Sequence, residues 1–384
     1  IIYRIANVTM QLAASRVLPG TVSGARSSSY PSQKIGIFGK SFQASRPTQF
    51  TTLEGFKSQR IKLQQFNEVS TLHSRSSLRV VSSLATGGQQ DSAFSTVASP
   101  FFRTTLDAML QSYWEKTPTA VKAVNFLQEQ QPGVPIAYDH VALRSFGVNG
   151  CGLEACSKFW LDHGYTRKDM LLFPGKKLKA YWYSPPAGHD DLPRVFISEL
   201  CVGDLSPEAQ DIIKKYTSAA SGGGDASPYT ALNGILGATP WPTPSHEDYS
   251  KLAEESEYAA WTLLNGFTLN HTTVSVHKLK CYRDITSMDN ALITEAGIQF
   301  NNDGKLNISP DGGLIQSSTV ADNREFTFAG GEQLQLPGAY IEFAERLVLP
   351  EFEHLAPEDV QESHRREGFE VGNADKIFES TNTR

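Results

Sequence analysis

Three stretches of the chain alternate apolar and polar side chains with a period of two. "YDHVALRSFG" (138–147) places His140, Ala142 and Arg144 on one side and Val141, Leu143 and Ser145 on the other. "NHTTVSVHKL" (270–279) places His271, Thr273, Ser275 and His277 opposite Val274 and Val276, and "GAYIEFAER" places Tyr340, Glu342, Ala344 and Arg346 opposite Ile341 and Phe343. Successive side chains of a strand point to opposite faces, so each pattern predicts a strand with one face on a core and a polar face on a cavity. Helical spacing appears elsewhere. Leu106, Met109, Leu110 and Tyr113 predict a helix that breaks at Thr117-Pro118 and resumes as a second, and "GLEACSKFWLDHG" predicts an amphipathic helix closed by Gly164. "KLKAYWYS" and "RVFISELCV" read as further strands.

Residues 206–264 change character to helices and loops, including "SGGGD" and the Pro-rich "TPWPTPSHED". Strands then return, followed by a helical "ITSMDNALITEAG" and the strand-like "LIQSSTVAD", "REFTFA" and "AYIEFAERL". Strand, helix and several strands thus occur twice, which suggests a duplicated module without a repeat visible in the residues themselves. The expected organisation is a leader over 1–97 and a catalytic domain over 98–384. Within that domain we expect module one at about 134–205, a helical insert at about 206–264, module two at about 265–350, and a C-terminal segment at 351–384.

Composition sharpens this division. The 384 residues are 40% hydrophobic, with 21 Phe, 13 Tyr and 5 Trp, enough for a large packed core. The first 100 residues hold eleven Lys/Arg and three acids, a net +8, which leaves −14 on the remainder of a chain whose total is −6. A long, basic, Ser-rich and acid-poor beginning reads as a plastid transit peptide, with a disordered basic tail as its alternative. The acidic body argues against nucleic acid as a partner, because phosphate contact needs clustered Lys/Arg. No run of 18 apolar residues occurs, so no membrane span is expected. Cys151, Cys156, Cys201 and Cys281 lack CxxC spacing and read as reduced thiols.

The polar strand faces carry the candidate chemistry. An inward carboxylate such as Glu342 costs several kcal/mol unless a cation neutralises it. Two histidines and one carboxylate, each from a different strand, are what a facial Fe(II) site requires, with three positions left open. Zinc is the rival occupant, although a closed structural zinc site takes four ligands. Glu199 in "FISEL" is a rival carboxylate to Glu342, and His277 lies too far along its strand from His271 to share an ion with it. Neither a GxGxxG loop nor a GxSxG elbow is present, and "NNDGKLNISPDGG" lacks the alternating acids of a calcium loop.

Taken together, "YDHVALRSFG", "LNHTTVSV", "GLIQSSTVAD", "PGAYIEFAER" and the closing "EGFEVGNADKIFEST" resemble the plant branch of the 2-oxoadipate dioxygenase/decarboxylase family, from about Pro100 to the C-terminus. The resemblance implies an α+β fold of the vicinal-oxygen-chelate type, in which paired βαβββ modules with helical additions curve into an open barrel; hydroxymandelate synthase is a related case. It implies Fe(II) held by His140, His271 and Glu342, and a substrate carboxylate held by Arg144. Arg346, on the same face as Glu342, is a candidate second anchor. The implied partners are a small 2-oxo dicarboxylic acid and O2, and the implied reaction turns 2-oxoadipate into 2-hydroxyglutarate and CO2 in lysine breakdown in a plastid. The alternatives are an oxygenase for another 2-oxo acid and a non-catalytic binding protein of plastid starch metabolism.

Overall fold

Ser99 starts the first helix by accepting a hydrogen bond from the backbone N–H of Phe102 (3.2 Å), with Pro100 in the first turn where no intrahelical N–H is needed. This helix, α1 (Pro100–Trp114), ends before Thr117-Pro118, and α2 (Pro118–Gln130) begins there, since a proline ring cannot continue the preceding turn. The computed structural model describes residues 99–221 and 227–377; the expected leader at 1–97 lies outside them.

Module one follows as β1 (Tyr138–Phe146), α3 (Leu153–Asp162), β2 (Thr166–Phe173), β3 (Leu178–Ser184) and β4 (Arg194–Leu200). The strand pattern did not predict β2. It is an edge strand whose side chains are mostly exposed, so period-two burial is missing from "TRKDMLLF". Four helices come next: α4 (Pro207–Ser221), α5 (Ser227–Leu236), α6 (His246–Glu255) and α7 (Glu257–Asn265). Every residue from Tyr258 to Asn265 is buried, which is the mark of a helix enclosed on all sides.

The chain then builds β5 (Leu269–Ser275), α8 (Ile285–Thr294), β6 (Asn307–Ile308), β7 (Leu314–Ser318), a hairpin of β8 (Asn323–Thr327) and β9 (Gln333–Pro337), and β10 (Tyr340–Arg346). A short helix, α9 (Val371–Ile377), closes the described residues. Eight strands form one sheet in the order β2-β3-β4-β1-β5-β10-β7-β6, while β8 and β9 pair separately. Each half repeats the same plan: β1 runs parallel to β4 as β5 does to β10, and antiparallel strands continue to each edge. The halves join through the antiparallel pair β1–β5. The result is the expected α+β architecture of paired βαβββ modules in one curled sheet. Helices α3 and α8 cover one face, and the polar positions of β1, β5 and β10 lie on the other. Among the described residues no helix is long and apolar enough to cross a membrane.

Candidate metal centre

Strand β1 contributes His140, β5 contributes His271 and β10 contributes Glu342. These strands are neighbours, and all three side chains are buried. In the ladder Thr273, on β5 two residues after His271, lies opposite His140 of β1 on one side and Glu342 of β10 on the other. The ligand atoms lie within 4.8 Å of one another. His271 Nε2 is 3.4 Å from His140 Nε2 and 3.1 Å from Glu342 Oε1, and His140 Nε2 is 3.5 Å from Glu342 Oε2. Donor atoms bound at about 2.1 Å around one ion lie about 3.0–3.4 Å apart, so the spacing suits a shared cation.

Each histidine is oriented by the residue before it. Asp139 Oδ1 lies 2.8 Å from His140 Nδ1, and Asn270 Oδ1 lies 3.0 Å from His271 Nδ1. Both rings therefore donate from Nδ1 and present Nε2 to the same point, the arrangement that metal-binding imidazoles use. A register shift in the β1–β5 ladder at Asp139 is what lets two successive side chains, Asp139 and His140, serve one site. Thr273 Oγ1 sits 3.0 Å from His140 Nε2 and donates to Glu342 Oε2 (3.3 Å). Glu342 Oε1 is buried with no hydrogen-bond donor, which is the orphaned acceptor expected of a metal ligand.

The electrostatics fit the same picture. Burial alone would raise the Glu342 carboxyl, but His271 and His140 together hold it below the usual carboxylate range. Burial would lower His140, yet its hydrogen bonds to Asp139 and Glu342 raise it, while burial drives His271 down to about 3. Burial likewise opposes ionisation of Asp139, and the Arg346 guanidinium, with His140 and Arg194, keeps its carboxyl well below the ordinary range.

Arg346 commits its guanidinium to the protein itself. Nε and an Nη reach the two Asp139 oxygens at 2.6 and 2.9 Å, and the other Nη donates to the carbonyls of Arg366 (3.1 Å) and Gly368 (2.8 Å). Arg144 is buried on the ligand side of β1, with its guanidinium 4.9 Å from the Tyr258 ring and 4.8 Å from the Trp261 ring of α7. Burial pulls its pKa below the usual arginine value, against the charges of Tyr340 and Tyr258.

Two sequence expectations are corrected. Glu199 does not approach the ligands: its Oε2 accepts the backbone N–H of Leu153 at the start of α3 (2.7 Å) and its Oε1 pairs with Lys179 (2.8 Å). His277 does not share a strand face with His271, because β5 stops at Ser275 and His277 sits in a tight turn. There its Nε2 faces Glu362 (3.3 Å) and its Nδ1 accepts from the Arg346 backbone (3.3 Å).

The sequence patterns missed Asp139, Asn270 and Phe369. The first two had a signal: an Asx residue directly before each strand histidine, where Asx is disfavoured. Phe369 had none, since it comes from the C-terminal segment and packs edge-on against His140 (4.8 Å) and over Phe196 (5.1 Å).

A curled sheet of two such modules, with a His-His-Glu cluster at their seam, defines a protein of the vicinal-oxygen-chelate type with a candidate three-ligand metal centre. A structure described as a putative glyoxalase superfamily protein from Ralstonia eutropha shares the fold, at TM-score 0.53 and 19% identity over 64% of this chain and 82% of that one. The family described as 2-oxoadipate dioxygenase/decarboxylase matches residues 104–356. The chain belongs to that family. It is 47% identical over 303 residues to the chloroplastic 2-oxoadipate dioxygenase/decarboxylase of Arabidopsis thaliana, covering 76% of this chain and 80% of the relative. The chloroplastic/amyloplastic rice protein of that name is 48% identical over 295 residues, covering 74% of this chain and 79% of that one. The crystal structure of hydroxyglutarate synthase from Oryza sativa in complex with 2-oxoadipate matches with TM-score 0.69 and 44% identity, over 80% of this chain and 98% of that one.

Proposed function

We propose that the protein is an Fe(II)-dependent dioxygenase/decarboxylase that converts 2-oxoadipate and O2 to 2-hydroxyglutarate and CO2. One observation carries the reading: three buried ligands, two of them histidines already turned toward a common point, meet at the seam of a chain that belongs to this family. The donor set suits both catalytic zinc and non-haem iron. Membership of a dioxygenase family supports iron.

His140, His271 and Glu342 would hold the ion, which when bound supplies open positions for a chelating 2-oxo acid and for O2. Everything else is done by the chain. Asp139 and Asn270 keep the Nδ1 protons and thereby leave both Nε2 lone pairs free for the metal. Arg346 fixes Asp139 through a bidentate pair, so we assign it a positioning role in place of the expected substrate contact. Arg144 supplies the fork that holds the substrate's distant carboxylate, its plane kept by Tyr258 and Trp261. Phe369 and Phe196 present apolar surface beside His140 and keep bulk water from the ligands. The names of the two plant relatives support a plastid location, which we place in the stroma, and the substrate fits the breakdown of lysine.

The test is O2 uptake by anaerobically Fe(II)-loaded protein against a panel of 2-oxo acids, with product identification. We expect 2-oxoadipate to be consumed one-for-one with O2 and to yield 2-hydroxyglutarate, and His140→Ala to abolish both uptake and iron binding. Turnover of another 2-oxo acid with none of 2-oxoadipate would overturn the substrate assignment; turnover retained in His140→Ala would overturn the site.

A further inference from the structure

A second group of cations faces a cleft that none of the three metal ligands lines. The cleft runs between α1, α7 and the entry to β8, and Ser112, Lys116, Trp261, Asn265, Thr268 and Arg324 are on its wall. Behind its open mouth the cleft has room for about one water-sized group. Lys116 donates to the carbonyl of Gly237. A Cβ at Gly237, where φ is +63°, would collide with the Lys116 ammonium and the Ser112 hydroxyl, so glycine there both permits the turn and makes room for the charge. Arg324 donates to the Leu264 carbonyl (3.4 Å) and lies over the Phe326 ring (5.7 Å).

Among the described residues no carboxylate forms an ion pair with either cation. Burial first, and then the charge of Arg324, draws Lys116 down to about 8, opposed by its neighbour Glu115. Burial lowers Arg324. Two half-buried cations that no carboxylate pairs with repel each other and lose solvation, and an anion seated at both offsets the two costs.

We propose that this cleft is a second binding site, for a small oxyanion gripped by Lys116 and Arg324, with the Ser112 and Thr268 hydroxyls at its wall. The shared chemistry is that of a phosphate or of the carboxylate end of an organic acid. Trp261 ties the site to Arg144: it lines the cleft, donates to the Gly338 carbonyl two residues before β10 (2.7 Å), and carries Arg144 on its ring. Filling the cleft therefore changes the KM of the dicarboxylate substrate and leaves metal affinity unchanged. That kinetic half rests on the function proposed above; the binding half does not.

Calorimetric titration of the metal-loaded full chain with inorganic phosphate and, separately, with acetate tests the binding half without turnover. Saturable binding of one probe is expected, weakened roughly tenfold or more in Arg324→Met and in Lys116→Met and kept within about twofold in Arg324→Lys. A preference for phosphate or for acetate separates the two sources of the anion. Absence of saturable binding of either probe overturns the proposal, as does binding that both Met variants leave unchanged; the charge-keeping Arg324→Lys shows whether a loss follows charge or folding. Phosphate-dependent KM that persists in Arg324→Met would overturn the link to Arg144 alone.

Discussion

Asp139 and Asn270 stand in the same place before their histidines but differ in charge, and the protein treats them differently. Asp139 carries a full negative charge, neutralised by the bidentate Arg346 and by Arg194 at 3.5 Å, whereas Asn270 needs no counter-ion. An anionic acceptor makes His140 the more basic imidazole, hence the stronger donor to a metal ion. Asp139→Asn keeps the hydrogen bond and removes the charge, and it strands Arg346 in the interior. Metal affinity should fall by roughly 10- to 100-fold, read by competition with a chelator; unchanged affinity would show that the charge has no part in holding the metal. Arg144 separates cleanly from this set, because it lies over aromatic rings and away from the Asp139 cluster. Arg144→Met should raise the KM for the dicarboxylate by roughly 10- to 100-fold, as expected for one lost charge-assisted pair, and leave metal content as it was. Loss of metal in this variant would make the arginine structural.

Elements, in turn, decide which carboxylate can be a ligand. Glu199 and Glu342 occupy the corresponding strands β4 and β10 of the two modules, and both are buried, so strand pattern alone could not rank them. The ladders could. If His140 and His271 are equivalent, so are Ala142 and Thr273, and their partners across the parallel pairs are Phe196 and Glu342. The position matching Glu342 in module one is therefore Phe196, and Glu199 lies three residues further along on the opposite face. An aromatic ring thus stands where module two has its carboxylate, and the candidate cluster holds three residues. Glu199 instead caps the start of α3, in a pocket that Gly147 and Gly152 leave open by lacking a Cβ. Glu199→Ala should cost about 1–3 kcal/mol by leaving the buried Leu153 N–H without an acceptor, measured by chemical denaturation, with metal content intact. Loss of the metal in that variant would return Glu199 to the candidate ligands. Strand periodicity made β1, β5 and β10 legible because each has one apolar and one polar face; β2 and the two-residue β6 escaped it because edge strands bury little.

At the scale of the whole molecule, the two modules bring together side chains 131 and 71 positions apart, and no local pattern contains that information. Alternation supplied the faces; the order β1-β5-β10 in the sheet supplied the meeting point, and the C-terminal segment added Phe369 and the carbonyls that fix Arg346. The same packing leaves a cost in module two. Asp289 of α8 is buried on the sheet, with one oxygen accepting from Ser317 Oγ (3.0 Å) and the other without a partner. Burial pushes its carboxyl up to about 7, against the Ser317 hydrogen bond. A carboxyl whose pKa is raised by folding binds its proton more tightly in the native state, so the contribution of Asp289 to stability is greatest below the unfolded pKa of about 4. It then falls as pH rises toward 7 and is level above, as the native carboxylate ionises without a counter-charge. Asp289→Asn removes the titration while keeping size and an acceptor for Ser317. The variant should be more stable than the wild type by about 2–4 kcal/mol at pH 8 and equal to it near pH 4. Urea denaturation of both proteins across that range checks this: a stability difference that does not change with pH would mean that the folded Asp289 carboxyl titrates where the unfolded one does, its carboxylate having found a partner.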